Sequence, residues 1–276
     1  MITETEFKLF QGYIARHCGI ALGGEKIYLV DTRLRELLDE TGSADFGSLY
    51  RLAVNDTSNQ LRNRIVDAMT TNETLWFRDE HPFTILKEKL IPELAAQLRA
   101  GGRSRIRIWS AACSTGQEPY SIAMVVRDLC RTQSGLRPEH VEILASDISP
   151  TALSIAQAGR YDENSLKRGL PDELKSRYFR QDGPVRVVDD EIKRMVTFQK
   201  FNLQDVLDIR GRFDIVFCRY VAIYFSEDFK RTLYQGLARA LEPGGYLLIS
   251  AVENLREVCR DFEPLEYASG VCYRRT

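Results

Sequence analysis

Charge of one sign, histidine, paired cysteines and long apolar runs are what this chain of 276 residues has little of, and each shortage excludes something. Thirty-eight basic side chains face thirty-nine acidic ones, for a formal net charge of -1. So balanced a chain has no bulk attraction for nucleic acid or for an anionic membrane surface. The three histidines, His17, His81 and His140, are scattered without metal-ligand spacing, so no metal is expected. The six cysteines show no close pairing, and several lie in apolar runs. They read as reduced, buried thiols of a cytoplasmic protein. No apolar run is long enough to span a bilayer, and no secretory signal opens the chain. No heptad pattern marks a coiled-coil seam, so a monomer is expected. No Ser, His or Cys constellation for nucleophilic catalysis is recognisable. Hydrophobic content of 44% and charged content of 28% are ordinary for a globular protein, and the length provides ample core.

What is present is the run Trp109-Ser110-Ala111-Ala112-Cys113-Ser114-Thr115-Gly116-Gln117-Glu118-Pro119-Tyr120-Ser121. It follows the apolar segment Ile106–Trp109 and enters a helical pattern. A strand, a turn of small residues and a helix form the layout by which an α/β fold grips a small ligand at the carboxyl end of its first strand. The small side chains keep the turn tight and let backbone amides approach closely. Glu118 then places a carboxylate at the helix start, where it would repel a phosphate and hold an ammonium group. That argues for an amino-acid-bearing cofactor such as S-adenosylmethionine rather than a nucleotide phosphate.

Residues 1 to about 70 show helical periodicity and no strand pattern. Phe7, Phe10, Ile14 and Cys18 recur at helical spacing and stop at Gly19, and three further amphipathic stretches follow. Thr70-Thr71-Asn72-Glu73-Thr74 suits a loop, and a helix is expected from about Pro82 to Leu98. Beyond residue 105 strand and helix patterns alternate, the mark of a parallel sheet covered by helices. Val141–Ala145 is the second strand, Phe213–Cys218 a later buried one, and Glu242-Pro243-Gly244-Gly245 a turn before the strand Tyr246–Ser250. Phe262–Tyr267 and Gly270–Tyr273 form a closing hairpin. Val185–Val188 and Met195–Phe198 interrupt the alternation, with Tyr178-Phe179 as a possible third strand. They are read as an antiparallel insertion where a partner-binding surface could sit. The expected fold is therefore α/β. A helical domain spans 1–75, a linker helix 76–100 and a ligand-binding domain 101–276, with the insertion at 161–200.

Asp147 closes the second strand, where an acidic residue accepts ribose hydroxyls in nucleoside-binding sheets; it could equally cap the helix that begins near Ser149 and Pro150. Asn202-Leu203 could read and cover an adenine ring, although Asn is also a common turn residue. Arg78 could hold a carboxylate through its fork or be a solvated charge.

Four blocks together resemble the chemotaxis-receptor methyltransferase family (CheR). They are Met69–Phe83, Trp109–Met124, Phe213–Phe225 and Leu241–Ser250, and their order and spacing run from the helical domain to the end of the chain. The resemblance implies a small all-α N-terminal domain before a Rossmann-like S-adenosylmethionine-binding sheet with a small antiparallel insertion. It also implies that Asn72, Thr74 and Arg78 close over the cofactor, that Glu118 meets its methionyl amino end, and that Asp147 meets the ribose. Asn202, Leu203, Arg219 and Tyr220 would surround the adenosine and the active-site mouth. Two positions depart from the family pattern. Gln117 stands where Glu is usual, and Tyr220 where Asn is usual.

The substrate implied is a glutamate side chain on the cytoplasmic helical bundle of a chemoreceptor. A glutamate with a reference pKa of about 4.3 is already ionised at neutral pH, so alignment and desolvation rather than a general base should dominate. Arg219 and Tyr224 are the candidates for orienting that carboxylate. Lys26, Arg33 and Arg35 could meet acidic receptor segments, with an ordinary solvated face as the competing reading. Some family members bind a receptor tail peptide on the insertion through a longer loop; Gln181-Asp182-Gly183-Pro184 is short, so tail-independent recognition is expected. Competing functions are a non-catalytic signalling adaptor that keeps the fold, and a methyltransferase for small carboxylates.

Overall fold

A computed structural model describes residues 1–209, 211–255, 258–268 and 270–276. The chain opens with four helices, α1 (Glu4–Cys18), α2 (Ile27–Glu40), α3 (Phe46–Asn55) and α4 (Gln60–Met69). Thr3 and Glu6 form a capping box that satisfies orphan amides at the start of α1, and Gly19, at φ 76°, ends the helix in the left-handed region. The stripe expected from periodicity is the buried one: Phe7, Phe10, Ile14 and Cys18 pack with Leu34, Leu49 and Ile65 into a core of their own. Each such side chain contributes about 1.5–3 kcal/mol on burial, enough to make the helical unit more than a surface appendage.

Arg33 is tied to its own chain. Its guanidinium turns inward and donates to the carbonyls of Met69 (2.8 Å) and Thr70 (3.0 Å) and to Thr71 Oγ1 (3.2 Å). It therefore pins the chain where it leaves α4. Arg35 pairs with Asp31 on its own helix. Arg35 lies half-exposed, as the solvated-face reading has it, whereas Arg33 is half-buried against backbone carbonyls, which neither reading anticipated.

Residues 70–75 carry no regular structure. Trp76 then plunges between Tyr161 and Phe179, with ring centroids 5.0 and 5.4 Å away. From His81 the chain runs through α5 (His81–Ile85), a π-helical segment (Leu86–Leu90) and α6 (Ile91–Arg99), the helix expected from Pro82 onward.

The main sheet is built from β1 (Ile106–Ala111), β2 (Val141–Asp147), β6 (Val196–Lys200), β7 (Phe213–Cys218), β8 (Leu241–Leu248), β9 (Phe262–Tyr267) and β10 (Gly270–Arg275), in the order β6-β2-β1-β7-β8-β10-β9. The first five positions pair in parallel, and β10 is antiparallel to both neighbours. Helices α7 (Gln117–Thr132), α8 (Pro150–Ala158) and α12 (Glu227–Ala240) are the crossovers. Central β7 is buried along its whole length, as its continuous apolar run requires of a strand covered on both faces.

A second, three-stranded antiparallel sheet has the order β3-β5-β4, from β3 (Arg160–Asp162), β4 (Phe179–Asp182) and β5 (Val185–Val188). Helices α9 (Glu163–Lys167) and α10 (Asp172–Tyr178) lie between its strands, and α11 (Asp190–Lys193) follows. Asp182 pairs with Val185, so Gly183-Pro184 makes a two-residue turn.

Two strand assignments need correction. The Met195–Phe198 run is not part of the antiparallel sheet: as β6 it pairs in parallel with β2, Ile143 opposite Val196 through Asp147 opposite Lys200. The Glu242–Gly245 turn is absorbed into β8, whose register against β7 is irregular between Phe213 and Ile215. Gly244, at φ 75°, supplies the left-handed step of that irregularity. No helix among the described residues is long and apolar enough to cross a membrane.

Candidate active site

The strand order reverses beside β1: β2 and β6 lie on one side, β7 and β8 on the other. A crevice opens outside the carboxyl ends of parallel strands at such a switch point. One cleft there is lined by residues at the carboxyl ends of β1 (Ala112, Cys113, Ser114), β2 (Asp147, Ile148), β6 (Phe201, Asn202, Leu203) and β7 (Arg219, Tyr220, Val221). The 70–78 loop forms another wall. Each residue expected at the cofactor or at the acceptor carboxylate lines this same cleft: Asn72, Thr74, Arg78, Glu118, Asp147, Asn202, Leu203, Arg219, Tyr220 and Tyr224.

The turn after β1 winds through left-handed conformations at Ala112 (φ 59°), Ser114 (50°) and Gly116 (95°). Small residues are required here for contact as well as for backbone freedom. A Cβ on Gly116 would lie 2.9 Å from Ala156 Cβ and 3.0 Å from the Tyr161 hydroxyl. Tyr161 Oη donates to the Thr115 carbonyl (2.6 Å), and Ser114 Oγ donates to the Asn72 carbonyl (2.8 Å), tying the turn to the insertion and to the loop.

Asp147 is buried. Oδ2 accepts from the Ser114 amide at 2.8 Å and Oδ1 from the Ser149 amide at 2.9 Å. Burial raises its pKa, and backbone donors at Ser149, Ser114 and Ile148 partly offset that. The cap of α8 is Ser149, whose hydroxyl accepts from the Ala152 amide. Asp147 is thus free of the capping duty that its position also allowed.

Glu118 sits in the first turn of α7, accepting from Ser110 Oγ (2.7 Å) through Oε1 and from Arg219 Nη1 (3.0 Å) through Oε2. Arg219, with a side chain only 2% exposed, also donates from Nη2 to Asp79 Oδ2 (2.7 Å) and to the Arg78 carbonyl (2.6 Å). Its guanidinium is a bridge between α7 and the 72–80 loop. Expected to reach a substrate carboxylate, it is occupied by two carboxylates of its own chain. Tyr224, by contrast, is 36% exposed at the cleft edge, and Arg78 is half-buried. The Arg78 guanidinium lies 3.3 Å from the centroid of the Tyr220 ring.

Asn202 is also more committed than expected. Its Nδ2 donates to the His17 carbonyl (2.9 Å) at the end of α1, and its Oδ1 accepts from the Gln204 amide (3.1 Å). Burial pushes the Cys113 and Cys218 thiols well up, so neither is a thiolate at neutral pH.

Sequence reasoning missed the share taken by the helical domain. Cys18 and Ile20 line the cleft, Ile20 bridges to Phe225, and the Ala21 amide donates to the Tyr224 carbonyl at 2.8 Å. Across the same boundary, Asp67 accepts from the Ser149 and Thr151 hydroxyls. Asp79 was missed too; it lies inside the Met69–Phe83 block, and only the fold shows that it faces Arg219.

Comparison with known proteins agrees with this geometry. Residues 5–70 match the CheR methyltransferase all-alpha domain, and residues 72–271 the CheR methyltransferase SAM binding domain. The chain is 43% identical over 272 residues to chemotaxis protein methyltransferase 1 of Pseudomonas aeruginosa, covering 98% of each chain. It is 44% identical over 274 residues to the chemotaxis protein methyltransferase of Vibrio parahaemolyticus, covering 99% of this chain and 98% of that one. A more distant relative, the chemotaxis protein methyltransferase of Borreliella burgdorferi, is 34% identical over 283 residues, covering 99% of this chain and 95% of its own. With a helical unit roofing a cleft at the switch point of a methyltransferase sheet, and both units matched over nearly all their length, this chain belongs to the CheR methyltransferase family.

Proposed function

We propose that the protein is a protein-glutamate O-methyltransferase that esterifies glutamate side chains on the cytoplasmic helices of a chemoreceptor, with S-adenosylmethionine as methyl donor. The observation that carries this reading is the convergence of Glu118, Asp147, Arg78 and Tyr224 on one cleft between the helical unit and the sheet.

The donor set fits the cofactor. Asp147 keeps acceptor capacity for a ribose diol beyond its two backbone bonds. Ile148, Phe201 and Leu203 offer an apolar wall for a purine, and Glu118 offers negative charge to an ammonium group. When bound, S-adenosylmethionine supplies a methyl group on a positively charged sulfur. The acceptor glutamate is already a carboxylate at neutral pH, so this chain's residues have to orient it and exclude water. Tyr224, with its side chain reachable at the cleft edge, suits that role, and Arg78 suits closure over the cofactor. Arg219 suits the positioning of Glu118 and of the loop. A protein substrate is favoured over a small carboxylate because the cleft opens along the boundary of two folded units that offer an external surface. No observation favours the adaptor reading.

The test is methyl transfer from labelled S-adenosylmethionine to purified receptor cytoplasmic fragments. Base-labile label on the receptor, lost when the acceptor glutamates are changed to alanine, is the expected result. Tight cofactor binding without transfer to any receptor fragment would overturn the substrate assignment.

A further inference from the structure

Tyr220 sits at φ 58°, a left-handed conformation that a bulky aromatic residue rarely adopts. The loop that faces it holds Phe77 (φ 47°), Asp79 (68°) and Glu80 (49°) in the same positive-φ range. Two strained segments, distant in sequence, therefore meet at the cleft. Strain of this kind persists only where the surroundings over-determine it, and it concentrates at ligand clamps.

The over-determination is visible. Tyr220 Oη donates to the Asp79 carboxylate, with its oxygens 2.8 and 2.9 Å away, and Arg219 holds the same carboxylate from beneath. The Tyr220 amide donates to Glu253 Oε2 (3.2 Å), which also accepts from the Ser250 amide at 3.0 Å. The Arg78 guanidinium then lies over the ring so held, 3.3 Å from the Tyr220 ring centroid. A long arginine side chain loses much rotamer freedom when it must point one way, and an aromatic face that attracts the cation sets that direction before a ligand arrives.

We propose that Tyr220 is a positioning residue for Arg78: its ring seats the guanidinium at the cleft mouth, and its hydroxyl, bonded to Asp79, locks the 72–80 loop in the pose that presents it. This rests on the reading that the cleft holds S-adenosylmethionine and that Arg78 acts there. Tyr220 itself acts through its neighbour and does not react.

The test is a double-mutant cycle read by calorimetric titration of S-adenosylhomocysteine and by methyl-transfer kinetics. The proteins are wild type, Y220N, Y220F, R78A and R78A/Y220N, with Tm measured in parallel. Asparagine tolerates the left-handed backbone, so Y220N is expected to fold with an unchanged or raised Tm. Y220N and R78A should each weaken cofactor-product binding by a similar factor, roughly tenfold. The double variant should be no weaker than the weaker single one. Y220F, which keeps the ring but loses the bond to Asp79, should fall between wild type and Y220N. Equal affinities of Y220N and wild type, a double variant showing the product of the two single effects, or a Y220F as weak as Y220N would each overturn the proposal. Absence of binding in the wild type would instead overturn the reading of the cleft on which it rests.

Discussion

Arg219→Met removes a buried cation from between two carboxylates and a carbonyl. The lost bonds are those to Glu118 Oε2 (3.0 Å), Asp79 Oδ2 (2.7 Å) and the Arg78 carbonyl (2.6 Å). Stripping one partner from a buried ion pair costs about 3–5 kcal/mol, because the remaining charge is left without compensation. Here the Asp79 side chain is 22% exposed and that of Glu118 12%, so water recovers part of the loss. That places the expected destabilisation at the lower end, about 3 kcal/mol, or a fall in Tm on the order of 6–12 °C. Lysine at the same position keeps the charge but has no fork with which to span Glu118 and Asp79, so R219K should fall between the two. Denaturant unfolding gives the stability, and calorimetric titration of S-adenosylhomocysteine gives the binding. A positioning Arg219 requires stability and affinity to fall together, since the 72–80 loop and the start of α7 lose their common tie. An R219M protein within about 0.5 kcal/mol of wild type, binding cofactor normally and defective only in turnover, would refute this reasoning. It would return Arg219 to the role of a group that touches the substrate carboxylate.

Three further outcomes are expected. Burial raises the Asp147 pKa above its unfolded value, so the folded protein takes up that proton first. Its unfavourable contribution to stability is full at neutral pH and is relieved as pH falls through the raised pKa. Affinity for S-adenosylhomocysteine, titrated across a pH series, should fall over that same window. D147N should bind weakly at every pH, and a wild-type midpoint at the ordinary aspartate value of about 3.9 would refute the burial argument. Gly116→Ala places a methyl 2.9 Å from Ala156 Cβ at φ 95°. The strained backbone and the overpacking together should cost about 2–4 kcal/mol in thermal or chemical unfolding and weaken cofactor binding; a neutral variant would mean that the turn relaxes freely. Asp67→Ala releases the Ser149 and Thr151 hydroxyls from the helical unit. It should lower stability by about 1–3 kcal/mol and increase protease cleavage in the 70–75 segment, whereas unchanged cleavage would show that the two units hold together without it.

Local physics made most of this molecule legible in its sequence, and the exceptions share a cause. The α1 stripe, the small-residue turn after β1 and the acidic end of β2 are each specified by residues within a few positions of one another, through periodicity, steric room and strand-end placement. The functions of Arg33, Asn202 and Arg219 are not. Each is a polar side chain whose partner lies far away in sequence: Arg33 on the carbonyls of Met69 and Thr70, Asn202 on the His17 carbonyl, Arg219 on Asp79. A charged or amide group on an amphipathic helix or after a strand has the same local signature whether it meets water, a ligand or a buried carbonyl. Only the packing of distant segments decides which. The Met195–Phe198 run failed for a related reason. Its apolar pattern records that one face is covered, but pairing with β2 rather than with β5 is set by where α11 delivers the chain. Asp79 and Tyr220 go further, since both occupy left-handed backbone, which aspartate tolerates and a tyrosine ring disfavours. Propensity reads Tyr220 there as misplaced. The bond between them, across the cleft, is what makes the placement physically sensible, and it exists only once the 72–80 loop and the end of β7 have been brought together.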